Sequence, residues 1–345
     1  MEKEQALHAI LTPKQLENFC EEFGLSMQDI EPDFSGWTKH VILSPDHVFL
    51  FPRHIQFDDW LEKELMAYLV FTRFSNIPAP KLIRVVDDPK LSYYRFGVVT
   101  RMEGAAFSTI EPGIGVNEYK LLLGELGRLT ATCHEIPLDV IPGIIGPKTP
   151  NTIGEHTELE RWMLMTLSQD TMDQALTSLF SLIVQLIEVI DANEFRSLLT
   201  EDNMSKWRNV FEELASLKPV LIHGDIHEDQ ILIHSRENME ISGILDWGTA
   251  AIANPVFDFN FGEWGLNIWR FRSHFKELRS VMWQEYLKAR KLSMSIPDGL
   301  HIFFTLNELY RVVSSGKPIL ENEGLTYEDE IQNILATLKE ATDFL

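Results

Sequence analysis

The sequence predicts an α+β chain in two parts, a small sheet-bearing lobe over residues 1 to about 103 and a larger, mostly helical lobe over 104–345. Three observations lead there. A chain of 345 residues that is 45% hydrophobic can bury a large core and is long enough for about two domains. Short strand-like runs crowd the segment from Asp33 to Met102, then thin out beyond Gly104, where apolar residues recur at helical spacing. Strand texture returns only in three short apolar runs between 220 and 245.

The elements follow in order. Leu7, Ile10, Leu11, Leu16, Phe19 and Phe23 are spaced for two lead-in helices, broken at Thr12-Pro13, a good helix start. HVIL (40–43) and HVFLF (47–51) flank the turn tripeptide Ser44-Pro45-Asp46 and predict a β-hairpin. Asp58 to Phe74 returns to helical spacing, with Trp60, Leu61, Leu65, Tyr68 and Leu69 on one side, until Pro78 and Pro80. KLIRVV and YYRFGVVTRM, around the turn DDPK, complete a small mixed sheet with one helix. Glu118 to His134 predicts an amphipathic helix stopped by Ile136-Pro137, and a Pro/Gly-rich loop spans 137–154. Helical segments at 155–190 and 203–217 lead to the strand-like runs VLIH (220–223), QILI (230–233) and ISGIL (241–245). The stretches 259–292 and 300–344 are helical in pattern.

Charge and cysteine content narrow the function classes. The 52 acidic against 30 basic residues, a net charge of -22, repel nucleic acid and anionic membrane surfaces and favour cationic partners, although such a balance also serves solubility. Cys20 and Cys133 are the only cysteines and form no CxxC or Cys/His cluster, which fits a reduced, cytoplasmic setting. The opening MEKEQALHAIL lacks a basic segment followed by an apolar core, and no apolar run approaches the roughly 20 residues of a membrane span. No feature of the sequence sets an oligomeric state.

The chemistry-bearing segments are VLIHGDIHEDQILI (220–233) and SGILDWGTAAIANPVFDF (242–259). Each places a carboxylate, Asp225 and Asp246, at the end of an apolar strand. Two such carboxylates beside one metal-bound polyphosphate, one facing an acceptor hydroxyl and one the metal, suit phosphoryl transfer. The alternative is a pair of turn or cap carboxylates.

HGDIHEDQ and ILDWG resemble the catalytic loop and metal-binding motif of the aminoglycoside and macrolide phosphotransferases, a branch of the protein-kinase-like fold. The likeness extends over nearly the whole chain, through the hairpin, EKELMAYL followed by IPAP, VVTRMEG and LGRLTATCHEIP. It implies a bilobal fold with the active site in the cleft. Asp225 would orient the acceptor hydroxyl and take its proton, Asp246 would chelate Mg²⁺, and ATP or GTP would be the donor. His223 and His227 would be scaffold. Gln230 stands where the family usually has a metal-ligating Asn, a departure that tilts the likeness toward the macrolide branch. Leu50 stands at the expected phosphate-binding cation, so Arg53, or Lys39 on the preceding strand, would replace it. Glu62 resembles the helix glutamate that pairs with that cation, with Glu64 as the register alternative. Ser35 and Gly36 would offer backbone amides to phosphate, and the backbone of Arg101, Met102 and Glu103 would meet the purine edge. Asp258 would brace the catalytic loop. Glu263, Trp264 and Asn267, with Trp269, Arg270 and Phe271 nearby, would line the acceptor pocket, where aromatic faces beside a carboxylate suit a protonated amine.

The acceptor that the resemblance implies is a small molecule with a hydroxyl and a cationic group, an amino-sugar antibiotic, macrolide before aminoglycoside. A metabolic kinase of the choline, amino-alcohol or sugar type is the neighbouring reading. A non-catalytic, nucleotide-binding degenerate kinase is the rival, motivated by Leu50 and Gln230. A protein kinase is disfavoured because no APE-like segment follows DWG.

Overall fold

The structure, a computed structural model, describes residues 2–74, 76–147, 169–261, 271, 273–292, 298–318, 324–343 and 345. By its internal contacts the chain divides into two compact units, Met1–Gly146 with His223–Ala251, and Pro147–Ile222 with Ile252–Leu345.

In the first unit the strands β1 (Glu31–Asp33), β2 (Lys39–Leu43), β3 (His47–Pro52), β4 (Leu82–Val86) and β5 (Phe96–Thr100) form one sheet in the order β1-β2-β3-β5-β4. Every pairing is antiparallel, which corrects the mixed sheet expected from the sequence. The reason lies in the crossover. Helix α3 (Asp58–Arg73) carries the chain from β3 past one strand position to the sheet edge, so β5 folds back between β3 and β4 and no parallel neighbours meet. Strand β1, not expected from the sequence, is a short edge strand in which Pro32 is tolerated.

The run HVFLFP is almost wholly apolar because β3 is covered on both faces. Phe49 and Phe51 point to the helices α1 (Glu2–Leu7) and α2 (Pro13–Phe23), in a cluster with Leu7, Leu16, Phe19 and Phe96. The Phe51 and Phe96 rings stack at 4.5 Å, and Phe19 meets Phe49 edge-on at 4.7 Å. Thr12 starts α2 by the expected capping box with Gln15, with Pro13 inside it and Gly24 at φ 62° closing it. The other face, carrying Leu50, takes α3. Gly97, opposite Leu50, lies so close to that helix that an added Cβ would stand 2.2 Å from Leu65 Cδ2.

A three-stranded sheet of β6 (Ala105–Ala106), β8 (Ile231–Ser235) and β9 (Glu240–Ile244), the one-turn helix α4 (Phe107–Ile110) and helix α5 (Val116–His134) complete this unit. Gly104, immediately before β6, has φ 122°, and an added Cβ would stand 2.6 Å from Ser242 Oγ and 2.8 Å from the Ile233 carbonyl oxygen. Both backbone and space therefore demand glycine. Gly104→Ala is expected to cost roughly 2 kcal/mol or more in folding free energy, measurable by denaturant titration; an unchanged midpoint would contradict the close approach.

In the second unit, α7 (Glu201–Ala215), α9 (Asp298–Ser315) and α10 (Tyr327–Asp343) pack around Trp207, whose Nε1 donates to Thr342 Oγ1 at 3.0 Å. Helices α6 (Gln169–Val189) and α8 (Phe275–Arg290) and strand β7 (Val220–Ile222) belong to the same unit. Residues 155–168 of the expected segment 155–190 lie outside the described residues; the helices expected at 58–74, 118–134 and 203–217 fall within a few residues of those bounds, whereas 259–292 contains a described α-helix only from Phe275 to Arg290 and 300–344 is divided into α9 and α10. Among the described residues no helix is long and apolar enough to cross a membrane.

Candidate active site

Three pieces of the first unit converge on one small hollow. Lys39 comes from β2, Glu64 and Tyr68 from successive turns of α3, and Asp246 from the turn after β9. Lys39 Nζ donates to Glu64 Oε2 at 2.6 Å and to Asp246 Oδ1 at 2.7 Å. Tyr68 closes the circuit, its hydroxyl donating to Glu64 Oε1 at 2.7 Å and accepting from the Asp246 amide at 3.2 Å. Both oxygens of Glu64 thus accept, as its ionised form requires. Side-chain exposure is 3% for Glu64, 13% for Lys39 and 43% for Asp246, so the carboxylate that opens to solvent is Asp246. Thr38, Phe57, Trp60, Leu61 and Gly248 line the rest of the hollow.

The electrostatics follow from this burial and pairing. Burial opposes the Lys39 charge, but Glu64 and Asp246 more than offset it and hold the ammonium above the usual lysine range. Burial likewise opposes the Asp246 charge, yet Lys39 wins and keeps that carboxyl below the usual aspartate range. Burial, then the neighbouring Glu64 carboxylate, pushes the Tyr68 hydroxyl well above its ordinary range, so Tyr68 is a neutral donor.

Asp246 has φ 60° and ψ 59°, a left-handed conformation unusual for a residue with a side chain. Surrounding bonds hold it there. The Trp247 indole donates to the Ile244 carbonyl at 3.0 Å and its ring meets Phe71 at 4.4 Å, while Thr249 Oγ1 donates to the His223 carbonyl at 2.8 Å. A residue fixed in a sparsely populated conformation by its surroundings is the kind of local strain that clusters at functional sites.

His223, fully buried, joins the two motifs. Its Nε2 donates to the Leu245 carbonyl at 2.8 Å, and its Nδ1 accepts from the Asp225 amide at 3.3 Å, an arrangement that assigns the proton to Nε2. Asp225 itself is exposed, one residue after Gly224 at φ 82°. The Gln230 carbonyl accepts from the Leu245 amide at 2.8 Å, which seats Gln230 beside the residue that precedes Asp246. Gln230 Oε1 is buried and makes no hydrogen bond among the described residues. An amide oxygen and a solvent-facing carboxylate, carried by segments that the Gln230–Leu245 backbone bond joins, are ligand types suited to a hard cation such as Mg²⁺, which takes few protein ligands and completes its shell with phosphate and water. No cluster of three or more His, Cys, Asp or Glu forms a metal cage among the described residues.

The other sequence-derived candidates fall elsewhere. Glu62 pairs with Arg95, which also holds Asp58 at 2.8 Å; it is Glu64 that meets a lysine. Arg53 donates its guanidinium to the Phe34 carbonyl at 2.6 Å, and the Ser35 amide donates to Asp33 Oδ1 at 2.8 Å, so both are engaged in shaping the turn that contains Gly36. The Arg101 amide donates to the Asp46 carbonyl at 2.9 Å, and the Glu103 carbonyl accepts from Ser242 Oγ. Met102, between them, makes no backbone hydrogen bond among the described residues. Asp258 is buried in the turn Pro255–Asp258. Glu263, Trp264 and Asn267 lie outside the described residues. In the sequence Tyr68 shows only as part of an apolar face; its spacing four residues after Glu64 is the signal of its place in the site.

The model of the phosphotransferase enzyme family (APH) matches residues 48–290. The chain belongs to this family. It is accordingly a phosphotransferase enzyme, and Asp225, Gln230 and Asp246 all lie within the matched segment, whereas Lys39 lies upstream of it. Among solved structures, the APH(2″) enzyme in its complex with GDP and kanamycin covers 95% of this chain and 98% of its own at 17% identity, with a TM-score of 0.52. The apoenzyme of a macrolide 2′-phosphotransferase from Brachybacterium faecium covers 94% and 97% at 16% identity, with a TM-score of 0.51. Likenesses at this identity show the fold, which is the kinase-like α+β fold expected from the motifs. In sequence, the uncharacterized protein YcbJ of Bacillus subtilis (strain 168) is 28% identical over 157 residues, 36% of this chain and 49% of that protein. The match thus spans about half the length of that curated relative.

Proposed function

We propose that this phosphotransferase moves the γ-phosphoryl group of ATP or GTP to a hydroxyl of a small, cationic molecule, with Mg²⁺ held by Asp246 and Gln230. The observation that carries the reading is His223, which ties the Asp225 amide and the Leu245 carbonyl to opposite sides of one ring and so sets the two carboxylate-bearing turns side by side. In this reading Asp225 receives the hydroxyl proton as the acceptor oxygen bonds to the γ-phosphorus and the bond to the β-phosphate oxygen breaks, releasing the nucleoside diphosphate. When bound, Mg²⁺ supplies charge neutralisation on the phosphate oxygens. The Met102 backbone, without a hydrogen-bond partner among the described residues, is where the purine edge would be read.

An amino-sugar antibiotic, macrolide before aminoglycoside, is the acceptor class we favour. Support comes from fold neighbours whose structures include GDP with kanamycin and a macrolide 2′-phosphotransferase, and from the net charge of -22, which attracts a cation. Glu263, Trp264 and Asn267 stay the sequence-based candidates for acceptor contact, and a lobe boundary near 103, at Gly104, and a cytoplasmic location belong to the same reading. The Lys39–Glu64 pair favours an enzyme over a degenerate nucleotide-binding scaffold, since the helix glutamate has its cation despite Leu50.

The test is phosphoryl transfer from ATP and, separately, GTP with Mg²⁺ against macrolides, aminoglycosides, choline and amino sugars, followed by product mass. A mass gain of one phosphoryl group on a macrolide or aminoglycoside is the expected result. A gain on choline or a simple amino sugar would move the acceptor to the metabolic class, and no gain with saturable nucleotide binding would favour the scaffold.

A further inference from the structure

We infer that the phosphate-binding cation of this enzyme has moved from β3 to β2 and is Lys39, a deepening that rests on the phosphotransferase reading above. The hairpin register pairs Val41 with Leu50 and Lys39 with Pro52. Paired residues of an antiparallel ladder share a face, and alternate residues of one strand do too, so Lys39 and Leu50 lie on the same face of the sheet. That face is the one α3 covers, as the approach of Leu65 to Gly97 beside Leu50 shows. A cation at position 50 would rise from β3 toward α3; Leu50 is instead buried and apolar, and the longer Lys39 side chain reaches the α3 glutamate from the neighbouring strand.

The donor count supports a ligand for Lys39. An ammonium carries three N–H groups, and Lys39 spends two, on Glu64 and Asp246. The third has no partner among the described residues, and the lysine lines the hollow together with Thr38, Trp60 and Gly248. Other cations nearby are committed: Arg53 to the Phe34 carbonyl, Arg95 to Asp58 and Glu62, and Lys81 to the Phe71 carbonyl. A positive group already fixed between a buried glutamate and the half-exposed carboxylate assigned to the metal is preorganised for a polyphosphate oxygen.

The alternative is a purely structural strut, and nucleotide binding separates the two. Binding of ATP, GTP, adenosine and guanosine, with Mg²⁺ present, is measured by calorimetry on the full chain and on Lys39→Met, Lys39→Gln and the double variant Lys39→Met/Leu50→Lys. Lys39→Gln keeps a hydrogen-bond donor for the carboxylates while removing the charge, so it guards against loss of fold in Lys39→Met. The expected result is a loss of about 10- to 100-fold in triphosphate affinity in both single variants, unchanged nucleoside affinity, and recovery in the double variant. Wild-type triphosphate affinity in a folded Lys39→Gln protein would overturn the assignment alone. A wild-type chain that binds no triphosphate would overturn the phosphotransferase reading, and this inference with it.

Discussion

Asp225→Asn is expected to lower the rate of phosphoryl transfer by roughly 10²- to 10⁴-fold while leaving nucleotide affinity unchanged. The side chain is exposed, and the link between its segment and the Asp246 turn runs through the Asp225 amide and the His223 ring, which the substitution keeps. The variant should therefore fold and bind nucleotide as before. What it loses is the carboxylate that receives the acceptor proton and holds the hydroxyl in line. Single-turnover transfer, measured beside nucleotide affinity, reads the two effects separately. Transfer near the wild-type rate would remove Asp225 from its assigned role, and a parallel fall in nucleotide affinity would make it part of the binding site.

The second large effect is expected at Asp246. Asp246→Asn keeps the size of the side chain and tolerates φ 60°, since Asn, like Asp, is enriched in the left-handed region. It removes the charge that faces the proposed Mg²⁺ position and that Lys39 neutralises at 2.7 Å. Transfer is expected to fall at least as far as in Asp225→Asn, but with a different signature: Mg²⁺ ceases to improve nucleotide binding. Titrating nucleotide affinity against Mg²⁺ concentration checks this. If the variant kept the wild-type Mg²⁺ dependence, the metal would have to be held elsewhere, and the orphaned Gln230 Oε1 would lose its explanation.

The two aspartate motifs were legible in the sequence because each is local. HGDIHEDQ and ILDWG carry their glycine, their flanking strand and their carboxylate within a few residues, and the His223 ring, with the Gln230–Leu245 and Thr249–His223 bonds, holds them side by side. The turn chemistry of Ser44-Pro45-Asp46, the Thr12 cap and the helical spacing of α2, α3 and α5 were equally local, so these elements stand near their expected bounds. Strands β1 and β6 were not legible, because two or three residues carry too little periodicity and are held by pairing with distant partners.

Amino-acid order alone determined the residue types of the site, the two catalytic-type motifs, the order of the elements and the departure at Leu50. Tertiary structure decided which cation meets which glutamate. Helical residues advance by about 100° each, so Glu62 and Glu64 leave α3 on nearly opposite sides, one toward Arg95 and the other toward Lys39. Both flank apolar positions, and the helical pattern does not choose between them. Strand alternation adds the second constraint: position 53 has the opposite parity to position 50, while Lys39 arrives on the face of Leu50 only through the register of the hairpin. Charges from β2, α3 and the turn after β9 become one circuit when three long-range packings are made at once, and that depends on distances no local sequence pattern contains.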